Sequence, residues 1–293
     1  HSLASPSQYL HCIPVLARIA GETATARLCT NIIQLTLMHP VDIAESLATL
    51  DIACGGRLVA GFGLGYNERE FSAFGVAPGT RLRRFLEALD LVKRLWTEPC
   101  VTHDGEFFKL DGDSIGIRPL QSPRPPVIVA ASADKMVARS ARISDGLSLA
   151  GHTTIQNLSR QAEIYRAALS EQGVTEFPEH YRIGVETFVA KDTDTAWRIA
   201  GPHMARKYKS YARMGQDAVL PQDQTFAAQL DDLAKDRFIV GDPETVAEGL
   251  AKYRDVLGVN EISVRMHWGG MPHGDLLRAI ELFGEHVIPA LRS

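Results

Sequence analysis

The chain has 293 residues, of which 45% are hydrophobic and 23% charged, an ordinary globular composition that excludes intrinsic disorder. The net charge is −4 without a long basic run, which argues against a nucleic-acid partner or an anionic membrane surface. No stretch of 18 uninterrupted apolar residues occurs, so the sequence predicts no membrane-spanning segment.

The first part of the chain alternates helical and strand patterns. Apolar residues recur at helical spacing in the helices, and the strands are near-continuous apolar runs typical of strands buried on both faces. In chain order, the sequence predicts a helix over 7–22, a strand over 26–33, a helix from Pro40 to the Gly55-Gly56 pair, a strand over 57–63, a loop over 64–79 and a helix over 80–96.

The same alternation continues after an irregular stretch over 98–120, in which Asp104-Gly105 marks a turn. Asp242 and Pro243 have the residue types of a helix cap and first helical position. The predicted strands are 126–131, 146–150, 181–189 and 261–267; the predicted helices are 134–143, 154–172, one from Pro243 and one over 274–291, with a polar helical region over 192–236.

Strands that alternate with helices predict a parallel sheet. Six strong strands are compatible with an open doubly wound sheet, or with an eight-stranded barrel of which two strands are missing. We expect a single domain over 1–293. The region 192–236 is interpreted as an insertion before the last strand, either a lid over a pocket or a solvated helical pair.

Two small-residue segments follow predicted strands. Gly61, Gly63 and Gly65 resemble half of a dinucleotide fingerprint, but they lead into a loop, and the interpretation favoured here is close packing of chain segments. Ala131, Ser132 and Ala133 precede a predicted helix, whose free N–H groups could bind a phosphate or could simply be capped.

Two histidines lie where parallel α/β folds collect ligands, at the carboxyl ends of strands. His152 follows the strand over 146–150, and His267 ends the strand over 261–267. No His, Cys and carboxylate spacing indicates a metal site, and no hydrolase motif occurs. The four cysteines have no metal-binding spacing and are interpreted as reduced thiols of a cytoplasmic protein.

The chain resembles the bacterial-luciferase-like flavin-dependent oxidoreductases along essentially its whole length. No single motif decides this, but the ordered combination is specific. The matching segments are His39-Pro40-Val41, Ala48-Thr49-Leu50-Asp51, Gly55-Gly56-Arg57-Leu58, Gly61-Phe62-Gly63-Leu64-Gly65-Tyr66, Gly105-Glu106-Phe107-Phe108, Arg118-Pro119, Gly241-Asp242-Pro243-Glu244 and Val287-Ile288-Pro289-Ala290-Leu291.

The resemblance implies an α/β fold, a TIM-type (β/α)8 barrel that binds a flavin at its C-terminal face. Matched backwards from His39, the family's first strand, helix and strand would lie before His1, in agreement with the strand count. Family chemistry is monooxygenation with reduced FMN and O2, or hydride transfer with the deazaflavin F420. A barrel that binds flavin without turnover is a third alternative.

Site residues follow from the resemblance by position. The flavin ring would rest on Thr30, Asn31 and Ile32, with a cis peptide bond expected between Asn31 and Ile32, and beside Gly63 and Leu64. Leu64 stands where luciferases have a phosphate-binding arginine. The phosphate would lie at Ala131, Ser132 and Ala133. Each assignment is a prediction from the family pattern.

The resemblance also implies the catalytic residues and partners. His1 would lie near the reactive edge of the flavin and could act as an acid or base, while His152 and His267 could line the substrate side. The expected partners are a small organic substrate, a separate flavin reductase that supplies reduced FMN, and a second copy in a homodimer.

Overall fold

A computed structural model describes residues 10–77, 79–221 and 224–292 of the chain. These residues form two compact units, which divide between Ala130 and Ala131 and are called unit 1 and unit 2. Among them, no helix combines the length and apolarity needed to cross a membrane. A single domain over 1–293 stays a prediction.

Unit 1 contains a parallel sheet, helices and a separate antiparallel pair of strands. Its helices are α1 (Cys12–Glu22), α2 (Pro40–Ala53), α3 (Glu68–Ala73) and α4 (Arg81–Thr97). Its strands are β1 (Leu28–Cys29), β2 (Ile33–Gln34), β3 (Leu58–Gly63), β4 (Val101–Asp104), β5 (Lys109–Asp113) and β6 (Val127–Ala131), of which the last residue, Ala131, is counted with unit 2.

Strand β3 is the centre of this sheet. It pairs in parallel with β1 and β2 on one side and with β6 on the other, and all six of its residues are buried. Helices α2 and α4 pack together, and the indole of Trp96 donates a hydrogen bond to the Ala44 carbonyl (2.9 Å). The near-continuous apolar sequence of β3 is what a strand buried on both faces requires.

Unit 2 repeats the strand and helix alternation. Its strands are β7 (Gly146–Gly151), β8 (His180–Val189), β9 (Ile239–Gly241) and β10 (Glu261–Arg265). Its helices are α5 (Asp134–Ile143), α6 (Ile155–Ser170), α7 (Thr193–Arg213), α8 (Leu230–Ala234), α9 (Pro243–Leu257), α10 (His273–Leu282) and α11 (Ile288–Arg292). Strand β8 pairs in parallel with β7, β10 and, through its last residues, β9.

The polar region over 192–236 is helical, as predicted, and contains α7 and α8. It is not simply a solvated helical pair, because Tyr208, Phe226 and Leu233 form a buried apolar cluster within it. Such a cluster lets the segment keep a defined shape. A role as a lid stays a prediction.

Several predicted boundaries need correction. The strand over 26–33 is split into β1 and β2, which pair with different residues of β3. The loop over 64–79 contains α3, and the irregular stretch over 98–120 contains the antiparallel pair of β4 and β5. Strand β9 was not predicted, since three residues are too few to show a period.

Candidate functional site

In unit 1, the backbone between β1 and β2 is held by the buried side chain of Thr30. Its hydroxyl donates a hydrogen bond to the Gly61 carbonyl (2.9 Å) and accepts one from the Gly61 amide (2.7 Å). The next peptide, Asn31–Ile32, is cis, as the family resemblance led us to expect. The Thr30 hydroxyl therefore holds this segment against β3 through both backbone polar groups of Gly61.

The glycines of β3 serve chain packing. A Cβ on Gly61 would lie 1.9 Å from the Thr30 carbonyl oxygen, and one on Gly63 would lie 2.8 Å from Cδ1 of Ile32. Neither position has room for a side chain. Close packing, the interpretation favoured from the sequence, is confirmed for these two residues. Leu64 follows them and is partly buried.

Sequence reasoning missed Gln34, which ends β2 opposite Gly63. Its side-chain oxygen Oε1 is fully buried and has no hydrogen-bond partner among the described residues. A buried acceptor without a donor is uncommon in native proteins and calls for an explanation, such as a bound water or ligand. The sequence signal was an amide residue in the near-continuous apolar run over 26–37.

In unit 2, the predicted phosphate segment leads directly into α5. Ala133 is the cap residue and makes no side-chain hydrogen bond to the first turn, where the Met136 amide donates to the Ala133 carbonyl. Ser132 is partly buried, and its carbonyl accepts a hydrogen bond from the Gln161 side chain (2.8 Å). Uncapped amides at the start of a ten-residue helix form a favourable anion site.

A carboxylate lies in the same first turn of α5. Asp134 forms a bidentate pair with Arg160 of α6, at 2.6 and 2.9 Å. Hydrogen bonding to the Arg160 guanidinium lowers the pKa of this carboxyl, so Asp134 is ionised at neutral pH. Arg160 therefore offsets the negative charge of Asp134 at this helix terminus.

His152 follows β7 and lies in a mixed aromatic and charged environment. Its ring packs edge-on against Phe226, with centroids 5.6 Å apart. Burial and the nearby Lys207 ammonium lower the pKa of His152 to about 4, an effect that Glu186 partly offsets. The imidazole is therefore neutral at pH 7 and can donate from one nitrogen and accept at the other.

Next to His152, a buried carboxylate joins three elements of unit 2. Glu186 of β8 forms an ion pair with Lys207 of α7 and accepts a hydrogen bond from the Trp268 indole (2.5 Å). The ammonium also lies 5.0 Å from the ring centroids of both Tyr208 and Tyr211. Sequence reasoning missed this group, although a carboxylate within the apolar strand over 181–189 was a visible signal.

The other two predicted histidines do not join this cluster. His267 is exposed, and it is the neighbouring Trp268 that points to Glu186. His1 lies outside the described residues, so its role stays a prediction. Within the described part of the chain, no three His, Cys, Asp or Glu residues come together in a way that could hold a metal ion.

Comparison with known proteins identifies the family. The family model described as luciferase-like monooxygenase matches residues 1–260. The chain belongs to this family. The α/β, TIM-type barrel class that the resemblance implied is therefore confirmed, and members of the family include oxidoreductases of more than one cofactor type.

The relatives include one enzyme named as FMNH2-dependent and others named as F420-dependent. An FMNH2-dependent dimethylsulfone monooxygenase from Pseudomonas putida is 26% identical and covers 87% of the chain and 71% of its own length. An F420-dependent glucose-6-phosphate dehydrogenase from Kineococcus radiotolerans is 27% identical and covers 94% and 80%. The crystal structure of monooxygenase RslO1 from Streptomyces bottropensis matches with a TM-score of 0.84 at 26% identity, over 97% and 86%.

Proposed function

We propose that this luciferase-like protein is a monooxygenase that uses reduced FMN and O2 to oxidise a small organic substrate. The observation that carries the proposal is the likeness to monooxygenase RslO1, which extends over 97% of the chain with a TM-score of 0.84. The FMNH2-dependent relative from Pseudomonas putida supports the same choice of cofactor.

Two groups of residues would suit two parts of a flavin, one group its phosphate and the other its ring. In unit 2, the uncapped start of α5 offers backbone N–H groups beside Ser132 and Ala133, which suits a phosphate. In unit 1, the orphaned carbonyl of Gln34 suits a ring that carries an N–H donor. We assign Ala131, Ser132 and Ala133 to the phosphate.

The ring contacts that we propose are those of the family pattern. Thr30, Asn31 and Ile32 would support the ring, with Gly63 and Leu64 beside it. The double hydrogen bond between Thr30 and Gly61 keeps this support in place before any ligand arrives. Such preorganisation lowers the entropy lost on binding.

A bound reduced flavin supplies two electrons, so that one atom of O2 is inserted into the substrate and the other leaves as water. The chain would bind and orient the reactants and keep water away. We assign His152 to the substrate side. As a neutral imidazole it would hold a hydrogen bond to a polar substrate atom without adding a positive charge at neutral pH. His1 is the candidate for proton transfer, and His267 is a further candidate for the substrate side.

The second candidate is an F420-dependent hydride-transfer enzyme. The specific observation in its favour is the F420-dependent relative, which matches 94% of the chain at 27% identity. The phosphate and ring contacts proposed above would serve either cofactor. The two candidates differ in their need for oxygen, which makes them separable by experiment.

The monooxygenase proposal brings partners with it. A separate flavin reductase would supply reduced FMN, and the substrate would be a small, mainly apolar organic molecule. We further propose a homodimer in the cytoplasm, as for the family in general.

The test is an anaerobic titration of the full chain with reduced FMN and, in parallel, with F420. Reduced FMN should bind more tightly. Admission of O2 with a panel of small organic compounds should then add one oxygen atom to at least one of them, measured by mass spectrometry with 18-oxygen. Preference for F420 would establish the second candidate instead. Flavin binding with no oxygen transfer would indicate a non-catalytic barrel.

A further inference from the structure

One face of the unit 2 sheet carries a row of small residues with open space above it. The parallel strands β7, β8 and β10 are neighbours, and their register aligns Ala150, Gly184 and Ser263 across the sheet. All three residues are partly exposed, and Gly184 is the one position of β8 that is not buried. A Cβ on Gly184 would meet no described atom within 4 Å, which leaves room for a ligand.

Arg182 borders this space. Side chains alternate along a strand, so Arg182, two residues before Gly184, lies on the same face. The residue is 9% exposed, and its Nε atom is fully buried without a hydrogen-bond partner among the described residues. Its Nη1 atom approaches Oε2 of Glu261 on β10 to 3.6 Å, which is longer than a hydrogen bond, while Oε1 of Glu261 lies 3.2 Å from Nδ1 of His180. A buried guanidinium with so loose a pairing retains donors for a further acceptor.

The fixed charges on this face favour one added negative charge. The strands contribute Arg182 and Glu186 from β8 and Glu261 and Arg265 from β10, and α7 contributes Lys207, which pairs with Glu186. Three cations thus face two carboxylates. A ligand with one negative charge would balance the excess, whereas a dianion such as a phosphate monoester would exceed it.

We propose that the row of Ala150, Gly184 and Ser263 is a substrate subsite, in which Arg182 binds a carboxylate group of the substrate. This inference rests on the proposed function, and it narrows the substrate to small organic acids whose remaining part is apolar. The planar fork of a guanidinium matches the two oxygens of a carboxylate. The Ser263 hydroxyl, in the same row, can donate a further hydrogen bond.

The first test compares hexanoate and benzoate with the uncharged hexanamide and benzamide. Ligand-observed NMR titrations of the full chain in the presence of FMN should show that the acids bind about tenfold more tightly than the amides, the size of one hydrogen bond to a charged group. Arg182→Gln should abolish this preference, and Arg182→Lys should retain part of it. Arg142→Gln is the matched control, because Arg142 also pairs with a glutamate, Glu171, but on an exposed surface, and it should leave the preference unchanged.

Two further variants separate binding from folding. Arg182→Gln alone leaves Glu261 without its cation, whereas the double variant Arg182→Gln, Glu261→Gln removes both charges. The double variant should melt close to the wild type and still show no preference for the acids. Gly184→Val adds a strand-compatible side chain in the open space, and it should weaken acids and amides alike by at least about tenfold without lowering the melting temperature.

The outcomes distinguish this subsite from the proposed function. Equal wild-type affinity for acids and amides, or a preference that survives the double variant, would overturn the subsite. Oxygen transfer to uncharged compounds alone, on addition of reduced FMN and O2, would support the monooxygenase and overturn the subsite. A preference that depends on Arg182, with no oxygen transfer to any acid, would support carboxylate binding and contradict the monooxygenase proposal.

Discussion

The ammonium group of Lys207 on α7 and the carboxylate of Glu186 on β8 form an ion pair inside unit 2. Their side chains are 13% and 9% exposed, so water screens the pair little. The second carboxylate oxygen accepts the Trp268 indole N–H, which ties the segment after β10 to the same point. One buried carboxylate thus connects β8, α7 and the segment that follows β10.

Loss of that carboxylate should destabilise the protein strongly. Glu186→Gln keeps an oxygen for Trp268 but leaves the Lys207 charge buried without a partner, which should cost about 3–5 kcal/mol of unfolding free energy in urea. The double variant Glu186→Gln, Lys207→Met removes both charges and should recover most of the loss. A single variant as stable as the wild type would show that the pair is solvated in solution.

The depressed pKa of His152 should make stability depend on pH. The unfolded chain protonates this imidazole near pH 6.5, whereas the folded state resists protonation down to about pH 4. Between those values the unfolded state binds more protons, so stability falls as the pH falls. This group alone should remove about 2 kcal/mol between pH 7 and pH 5.

Measurement of the His152 effect needs a variant without the imidazole. Urea unfolding of the wild type and of His152→Gln at pH 7 and pH 5 should show a smaller pH-dependent loss in the variant. An NMR titration that follows the His152 ring should show no protonation above pH 5. Protonation near pH 6.5 would contradict the lowered pKa of this residue.

Local sequence patterns predicted the helices and strands better than they predicted the side-chain contacts. Helix α5 has the predicted bounds of 134 and 143, because a preceding strand and a clear apolar period define it. The buried pair of Glu186 and Lys207 was not predictable, since it depends on how α7 packs against β8. The orphaned oxygen of Gln34 depends likewise on burial by distant segments, which no sequence period records.

The family resemblance supplied what local patterns could not. The cis peptide at Asn31–Ile32 was expected only from the position of the segment in the family, and the structure contains it. Periodicity alone gave one strand over 26–33. The resemblance also directed attention to His1, which lies outside the described residues. Family position and physical pattern therefore inform different parts of the site.

Gly61 should be intolerant of even a methyl group. A Cβ there would lie 1.9 Å from the Thr30 carbonyl oxygen, which is backbone and cannot rotate away. Gly61→Ala should lower the unfolding free energy by about 3 kcal/mol. Gly184→Ala in β8 is the control, because its Cβ would meet nothing within 4 Å, and it should be close to neutral.

Ser132 tests the proposed phosphate segment. Ser132→Asp would add a negative charge beside the uncapped start of α5, where it would repel a phosphate and occupy the same N–H groups. FMN should bind at least about tenfold more weakly, which corresponds to about 1.4 kcal/mol. Riboflavin, which has no phosphate, should bind the variant and the wild type alike.

Ser170→Asp, an exposed position at the end of α6, should change neither affinity. An equal loss for FMN and riboflavin would mean that the variant disturbs the fold, and an unchanged FMN affinity would place the phosphate elsewhere.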